Sequence, residues 1–249
     1  MRSEVRFFAA ALPLAAACLV ILAEPARAQS LTLTLPEGTG VTERALQLVV
    51  LITVLSIAPS ILVMVTSFTR IAVVLSLLRT AIGTNTAPSN TVMVSLALFL
   101  TAFIMAPTFQ TAYEQGIQPL LAQDIDQTQA FERTTQPFRD FMLKNVRDKD
   151  LALFLDMARQ PRPENPQDVS LRILIPSFMI SELRRAFEIG FLLFLPFLII
   201  DLVVASVLMS MGMMMLPPVT VSLPFKLIFF VLGAGWNLVA GSLVQSFGS

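Results

Sequence analysis

Four long stretches of the chain are almost free of charge, and a densely polar stretch separates the second from the third. Ala45 to Thr69 runs for 25 residues without a charge, and its apolar character continues to Leu78. Thr80 to Tyr113 is again charge-free, with its apolar centre between Val92 and Ala106. Ile189 to Leu216 is apolar apart from Asp201, and Leu227 to Phe247 carries no charge. A helix needs about 20 apolar residues to cross a bilayer, so the pattern predicts four spans. Residues 113–188 hold 22 of the 34 charged side chains.

The polar stretch has helical periodicity. Phe138, Phe141, Met142 and Val146 recur at i, i+3, i+4 and i+8; Leu151, Phe154, Leu155 and Ala158 recur at i, i+3, i+4 and i+7. Each set makes one apolar stripe on a helix. Pro119 and Pro137 are expected in first turns. Pro161, Pro163, Asn165 and Pro166 mark a loop. Pro176 is expected to open a last helix, Ser177 to Glu188, leading into the third span. On it Glu182 and Arg185 (i, i+3) and Arg184 and Glu188 (i, i+4) are spaced to pair on the surface. A few short helices bury little core, so this domain is expected to pack against copies of itself or against partners.

The first 28 residues read as a signal peptide. Arg2 and Arg6 precede an apolar core, Phe7 to Ala23, and Ala26-Arg27-Ala28 is a small-x-small cleavage site. Cleavage after Ala28 places residue 29 outside the cytoplasm. Arg70 and Arg79 in the first short loop, and Lys226 in the second, have no acidic neighbours and are expected on the cytoplasmic side. Residues 113–188 then lie outside. The expected organisation is a signal peptide (1–28), an N-terminal segment with two membrane helices (29–112), a helical extracytoplasmic domain (113–188) and two last membrane helices (189–249).

Composition narrows the chemistry. Apolar residues make up 55% of the chain and charged residues 14%, with a mean hydropathy of +0.75; a soluble domain carries about a quarter charged residues. Basic and acidic residues balance at 17 each, so no global field favours nucleic acid. The chain has no His, and its one Cys, Cys18, lies in the signal segment. A mature chain without either offers no thiolate nucleophile, no imidazole base and no Cys/His metal site. No glycine is followed by the Lys-Ser/Thr pair of a phosphate-binding loop. No catalytic residue, metal or cofactor is expected.

Two features of the third run remain. A carboxylate at the centre of a spanning helix costs on the order of 3 kcal/mol by insertion scales. Asp201 therefore calls for a bundle interior or a wet cavity, as an ion site, a structural ion pair or a bond between subunits. Met209, Met211, Met213, Met214 and Met215 crowd five methionines into seven positions. Methionine is flexible and polarizable, and Gly212, Pro217 and Pro218 are expected to break the helix beside them. Pro59 and Pro196 are expected to kink their helices. Gly233, Gly235 and Gly241 would admit close helix packing in the fourth run.

The stretches Ile175-Pro-Ser-Phe-Met-Ile-Ser-Glu-Leu-Arg-Arg-Ala-Phe-Glu-Ile-Gly-Phe191 and Leu195 to Pro218, with Ser67-Phe-Thr-Arg-Ile-Ala-Val-Val-Leu-Ser-Leu-Leu-Arg79, resemble the FliP family. The resemblance implies an all-α membrane protein of kinked helical hairpins with a small helical extracytoplasmic domain. It implies assembly into a helical conduit, as a pentamer with FliQ and FliR, at the flagellar basal body in the inner membrane. Unfolded flagellar proteins would pass through it after delivery by FlhA, FlhB and a soluble ATPase. It assigns a pore gasket to Met209, Met211, Met213, Met214 and Met215, and assembly or the conduit wall to Glu182, Arg185 and Asp201. Injectisome relatives share the motifs but lack the signal and the long domain. A small-solute transporter using Asp201 is a further alternative, for which the chain shows no internal repeat.

Overall fold

The computed structural model describes residues 41–84, 86–213 and 215–248. The signal segment with Ala26 and Ala28, and Met214, lie outside the described residues. Among the described residues every regular element is helical. Contacts divide the chain between Thr53 and Val54. The described part of the first unit is the N-terminal portion of helix α1 (Val41–Met64), where Leu46, Val49 and Ile52 are exposed.

The second unit is built around α2 (Phe68–Ile82). Val54 to Leu78 is not one continuous helix, because the chain turns at Thr66-Ser67. Thr66 Oγ1 accepts from the Phe68 amide at 3.4 Å, the local competition with helix bonding that hydroxyl side chains provide. From there Arg70, Ile71, Val74, Leu75, Leu78, Ala81 and Ile82 are buried, a stripe at helical spacing. Gly83 ends α2 with a left-handed φ of 90°, a conformation that costs glycine nothing.

Helix α3 (Asn90–Ala112) starts at Ser89, whose side chain accepts from the Val92 amide. It continues through a π-helical turn, Tyr113–Ile117, to Leu121, 32 residues in all. Helix α4 (Gln127–Asn145) is capped by Asp126, which accepts from the Gln129 amide at 2.8 Å. That cap sets the start, so Pro137 falls inside α4 and not in a first turn. Helix α5 (Asp148–Met157) follows.

Helix α6 (Leu171–Ser210) runs unbroken for 40 residues. It starts five residues before Pro176, because Val169, Ile173 and Leu174 bury its first turn against α4 and α5. Position 188 therefore falls within one helix. The apolar stripes of α4 and α5 meet there: Met142, Leu151 and Leu155 are buried with Phe178, and Phe138, Phe141, Val146 and Phe154 pack around them. The larger core joins α2, α3 and α6 with α7 (Pro218–Leu232) and α8 (Gly235–Gly248).

Two of the helices, Asn90–Leu121 and Leu171–Ser210, are long and apolar enough to cross a membrane. The fourth apolar run is not a single straight span. Helices α7 and α8 meet at a 63° bend at Gly233-Ala234, where Ala234 takes a positive φ of 48°. Counting the bent pair as one span gives three among the described residues, where four were expected. Within α1, Leu48–Ile57 is a shorter apolar stretch.

Candidate functional site

Three arrangements stand out, and the first two bring together residues that are far apart in sequence. The first lies where α2, α6 and α8 converge. Arg70 Nε donates to Glu182 Oε2 at 2.8 Å, and its Nη2 donates to Oε1 in parallel. Both side chains are fully buried. Arg70 Nη1 donates to Ser246 O (3.1 Å) and to Ser246 Oγ (3.0 Å), and the guanidinium lies 3.6 Å from the centroid of the Phe247 ring. This is the bidentate, stacked use for which arginine is suited and lysine is not. Glu182 therefore does not pair on the surface with Arg185. Arg185 is half-buried on the next turn, and no ion pair of it occurs among the described residues. Arg184 and Glu188 do pair, at 3.3 Å, and Arg147 joins them.

This pairing brings Arg70, from the first short basic loop, and Glu182, from the polar stretch, into one buried site. Beside them, Ser181 Oγ accepts from the Arg147 amide at 3.0 Å and donates to the buried Asp150 at 2.7 Å. That ties the junction of α4 and α5 to α6.

The second arrangement gives Asp201 the partner that its position calls for. Ser222 Oγ donates to Oδ1 and Lys226 Nζ donates to Oδ2, each at 2.6 Å. Lys226 also donates to Ala81 O at 3.2 Å. A cation at the C-terminal carbonyls of α2 is favourably placed with respect to that helix's dipole. Both carboxylate oxygens are engaged, and three helices are joined at one point.

The third arrangement is the turn between α6 and α7. Gly212, at φ 72°, donates its amide to Met209 O (3.1 Å), and the Met213 amide reaches back to Leu208 O (3.0 Å). These two bonds are a Schellman cap, and Pro217-Pro218 opens the next helix. The backbone is satisfied while the side chains find little to cover them. Met209, Met211, Met213 and Met215 are 61, 65, 39 and 99% exposed. The Asp201 network lies below this turn, holding the hairpin of α6 and α7 together.

Arg70 and Lys226 are expected from the sequence at the ends of spans, yet both are buried. Their spacing held a signal: Arg70, Val74 and Leu78, like Ser222, Lys226 and Phe230, recur every four residues, which puts the cation on the apolar face.

The faces left without cover are apolar. On α3 they include Leu98, Phe99 and Phe103; on α6, Phe191, Leu195, Ile199 and Leu202; on α7, Ile228 and Leu232. The fold is thus that of an all-helical protein with membrane-capable helices and large apolar faces exposed on the single chain. FliP family similarity extends over residues 51–243, and the chain belongs to that family. It is 61% identical over 235 residues to the flagellar biosynthetic protein FliP of Caulobacter vibrioides, covering 94% of this chain and 88% of that one. It is 58% identical over 199 residues to the protein of that name in Rhizobium meliloti (79% and 81% covered). It is 52% identical over 212 residues to that of Bacillus subtilis (85% and 95% covered).

Proposed function

We propose that the chain is a subunit of the flagellar protein-export gate, needed for flagellum assembly. Residues 1–28 direct it to the inner membrane and are removed after Ala28. Copies of the chain, with FliQ and FliR, then form the conduit through which unfolded flagellar proteins leave, after delivery by FlhA and FlhB. The methionines of the α6–α7 turn seal that conduit when it is idle. The observation that carries the reading is the uncovered apolar surface of α3, α6 and α7, ending at a turn with four exposed methionines. A water-facing monomer does not leave faces of this size open, and thioether side chains conform to a changing cargo.

The names of the relatives support the flagellar role over the injectisome one. The engagement of both Asp201 oxygens by Ser222 and Lys226 supports a structural role for that residue over ion transport. The test is an in-frame deletion with immunoblots of the culture supernatant for flagellin and hook protein. Export fails while both proteins are still made inside the cell, and the wild-type copy restores it. Normal secretion from the deletion strain would reject the role.

A further inference from the structure

Methionine sulfur is chemically distinct from the carbon it replaces in an apolar surface, because peroxide can oxidise it. Reactivity follows exposure. In this chain the methionines differ sharply in that respect. Met93, Met105 and Met142 are buried in the cores, and the sulfur of Met179 accepts a hydrogen bond from Thr69 Oγ1 at 3.7 Å. The turn between α6 and α7 presents Met209, Met211, Met213 and Met215 to the outside, with Met215 almost wholly uncovered. The cap at Gly212 fixes the backbone beneath them. A Cβ added at Gly212 would meet nothing within 4 Å, so an oxidant has an open approach at this point.

We propose that the methionines of the α6–α7 turn are a site of reversible oxidation to the sulfoxide, by hydrogen peroxide or a related two-electron oxidant, and that oxidation opens the seal. The sulfur lone pair attacks one peroxide oxygen. The S–O bond forms as the O–O bond breaks, sulfur loses two electrons, and the peroxide is reduced to water. A methionine sulfoxide reductase with a thiol reductant reverses the change. The sulfoxide is polar and accepts hydrogen bonds, so a ring of oxidised side chains draws in water where thioethers exclude it. The inference rests on the sealing role proposed above and adds its sensitivity to oxidant.

The test uses the complete gate complex, purified and reconstituted in liposomes. Samples are exposed to hydrogen peroxide, digested and mapped by mass spectrometry, and their ion conductance is recorded before and after incubation with both sulfoxide reductases and dithiothreitol. Met209, Met211, Met213 and Met215 should each gain one oxygen before Met93, Met105 and Met142 do. Conductance should rise towards that of a complex with all five methionines of residues 209–215 replaced by Gln, and fall back after reduction. A complex with Leu at the same five positions should not respond to peroxide. If the turn stays unoxidised while exposed Met157 on α5 is modified, the proposal is wrong. If the Gln variant leaks but the oxidised wild type does not, this inference fails and the seal stands. If neither leaks, the sealing role itself fails.

Discussion

Arg70 and Glu182 are separated by 112 positions and meet through two parallel hydrogen bonds in a site closed to solvent. The same guanidinium holds the end of α8 through Ser246 and Phe247. One side chain thus fastens the central helix to the longest helix and to the last one. A buried pair is costly to form, but removing one member leaves a charge with no compensation, at about 3–5 kcal/mol. Glu182→Ala and Arg70→Ala should each shift the thermal loss of the monodisperse detergent-solubilised protein to markedly lower temperature. The exchange Arg70→Glu with Glu182→Arg should recover only part of it, because Ser246 and Phe247 no longer face a cation. Unchanged melting of either single variant would show that the pair does not hold the fold.

Phe247 carries a second share of that junction. It is buried, stacks on Phe141 at 5.8 Å, and lies beneath the Arg70 guanidinium. Phe247→Ala should destabilise by about 3–5 kcal/mol, the usual range for a buried aromatic. Phe247→Leu should recover the apolar part but not the stacking. The comparison is read by the same melting assay, and equal stability of Ala and Leu variants would remove Phe247 from the core.

Asp201 and Lys226 should behave as one unit. Either substitution to Ala strands a partly buried charge on a neighbouring helix, and Lys226→Ala also exposes the C-terminal carbonyl of Ala81. The double variant should be less damaging than the sum of the two singles, with a coupling of about 0.5–3 kcal/mol. Additive effects would mean that the two residues act independently. Asp201→Asn keeps one acceptor oxygen for Lys226, and its amide NH2 can donate to Ser222 Oγ, so it should weaken secretion less than Asp201→Ala does.

Gly116 sits in the π-helical turn that joins α3 to Leu121, close against α4. A Cβ there would lie 2.0 Å from Thr134 Oγ1 and 2.8 Å from the Thr134 amide nitrogen. The hydroxyl can rotate away but the backbone cannot. Gly116→Ala should separate α4 from α3 at a cost of about 1–3 kcal/mol. Limited proteolysis should then cut faster between residues 118 and 135. A protease pattern like that of the wild type would show that α4 can shift without loss.

The helices were readable because apolar runs and stripes are local patterns. The stripe of Phe138 to Val146 and that of Leu151, Phe154 and Leu155 meet in one core as their spacing implies, while Ala158, at the end of α5, is exposed. Helix ends were less readable where two local signals competed. Pro176 looked like a start, but the burial of Ile173 and Leu174 extends α6 ahead of it. Thr66 and Ser67 look apolar enough to continue a span, yet the chain turns there.

The candidate site was readable in part. The break beside the methionine cluster follows from Gly212 and the two prolines, and the structure adds which side chains are exposed there. The ion pairs were not readable as pairs. Glu182 has a plausible partner three residues away in Arg185, whereas its real one is on a helix reached only by folding. Lys226 looked like a loop cation because it stands near the start of a charge-free run. Its place four residues after Ser222 and four before Phe230 marks the inward face of α7.

The most direct test of the conduit role places a photo-crosslinking residue at Met211, and for comparison at Leu153 on α5, in cells where an exported flagellar protein is stalled by a folded domain at its end. If the α6–α7 turn lines the path of the cargo, position 211 crosslinks to the stalled protein and position 153 does not. If position 211 fails to crosslink in an assembled gate that holds stalled cargo, the turn does not line the conduit, and the chain supports a passage built by other subunits.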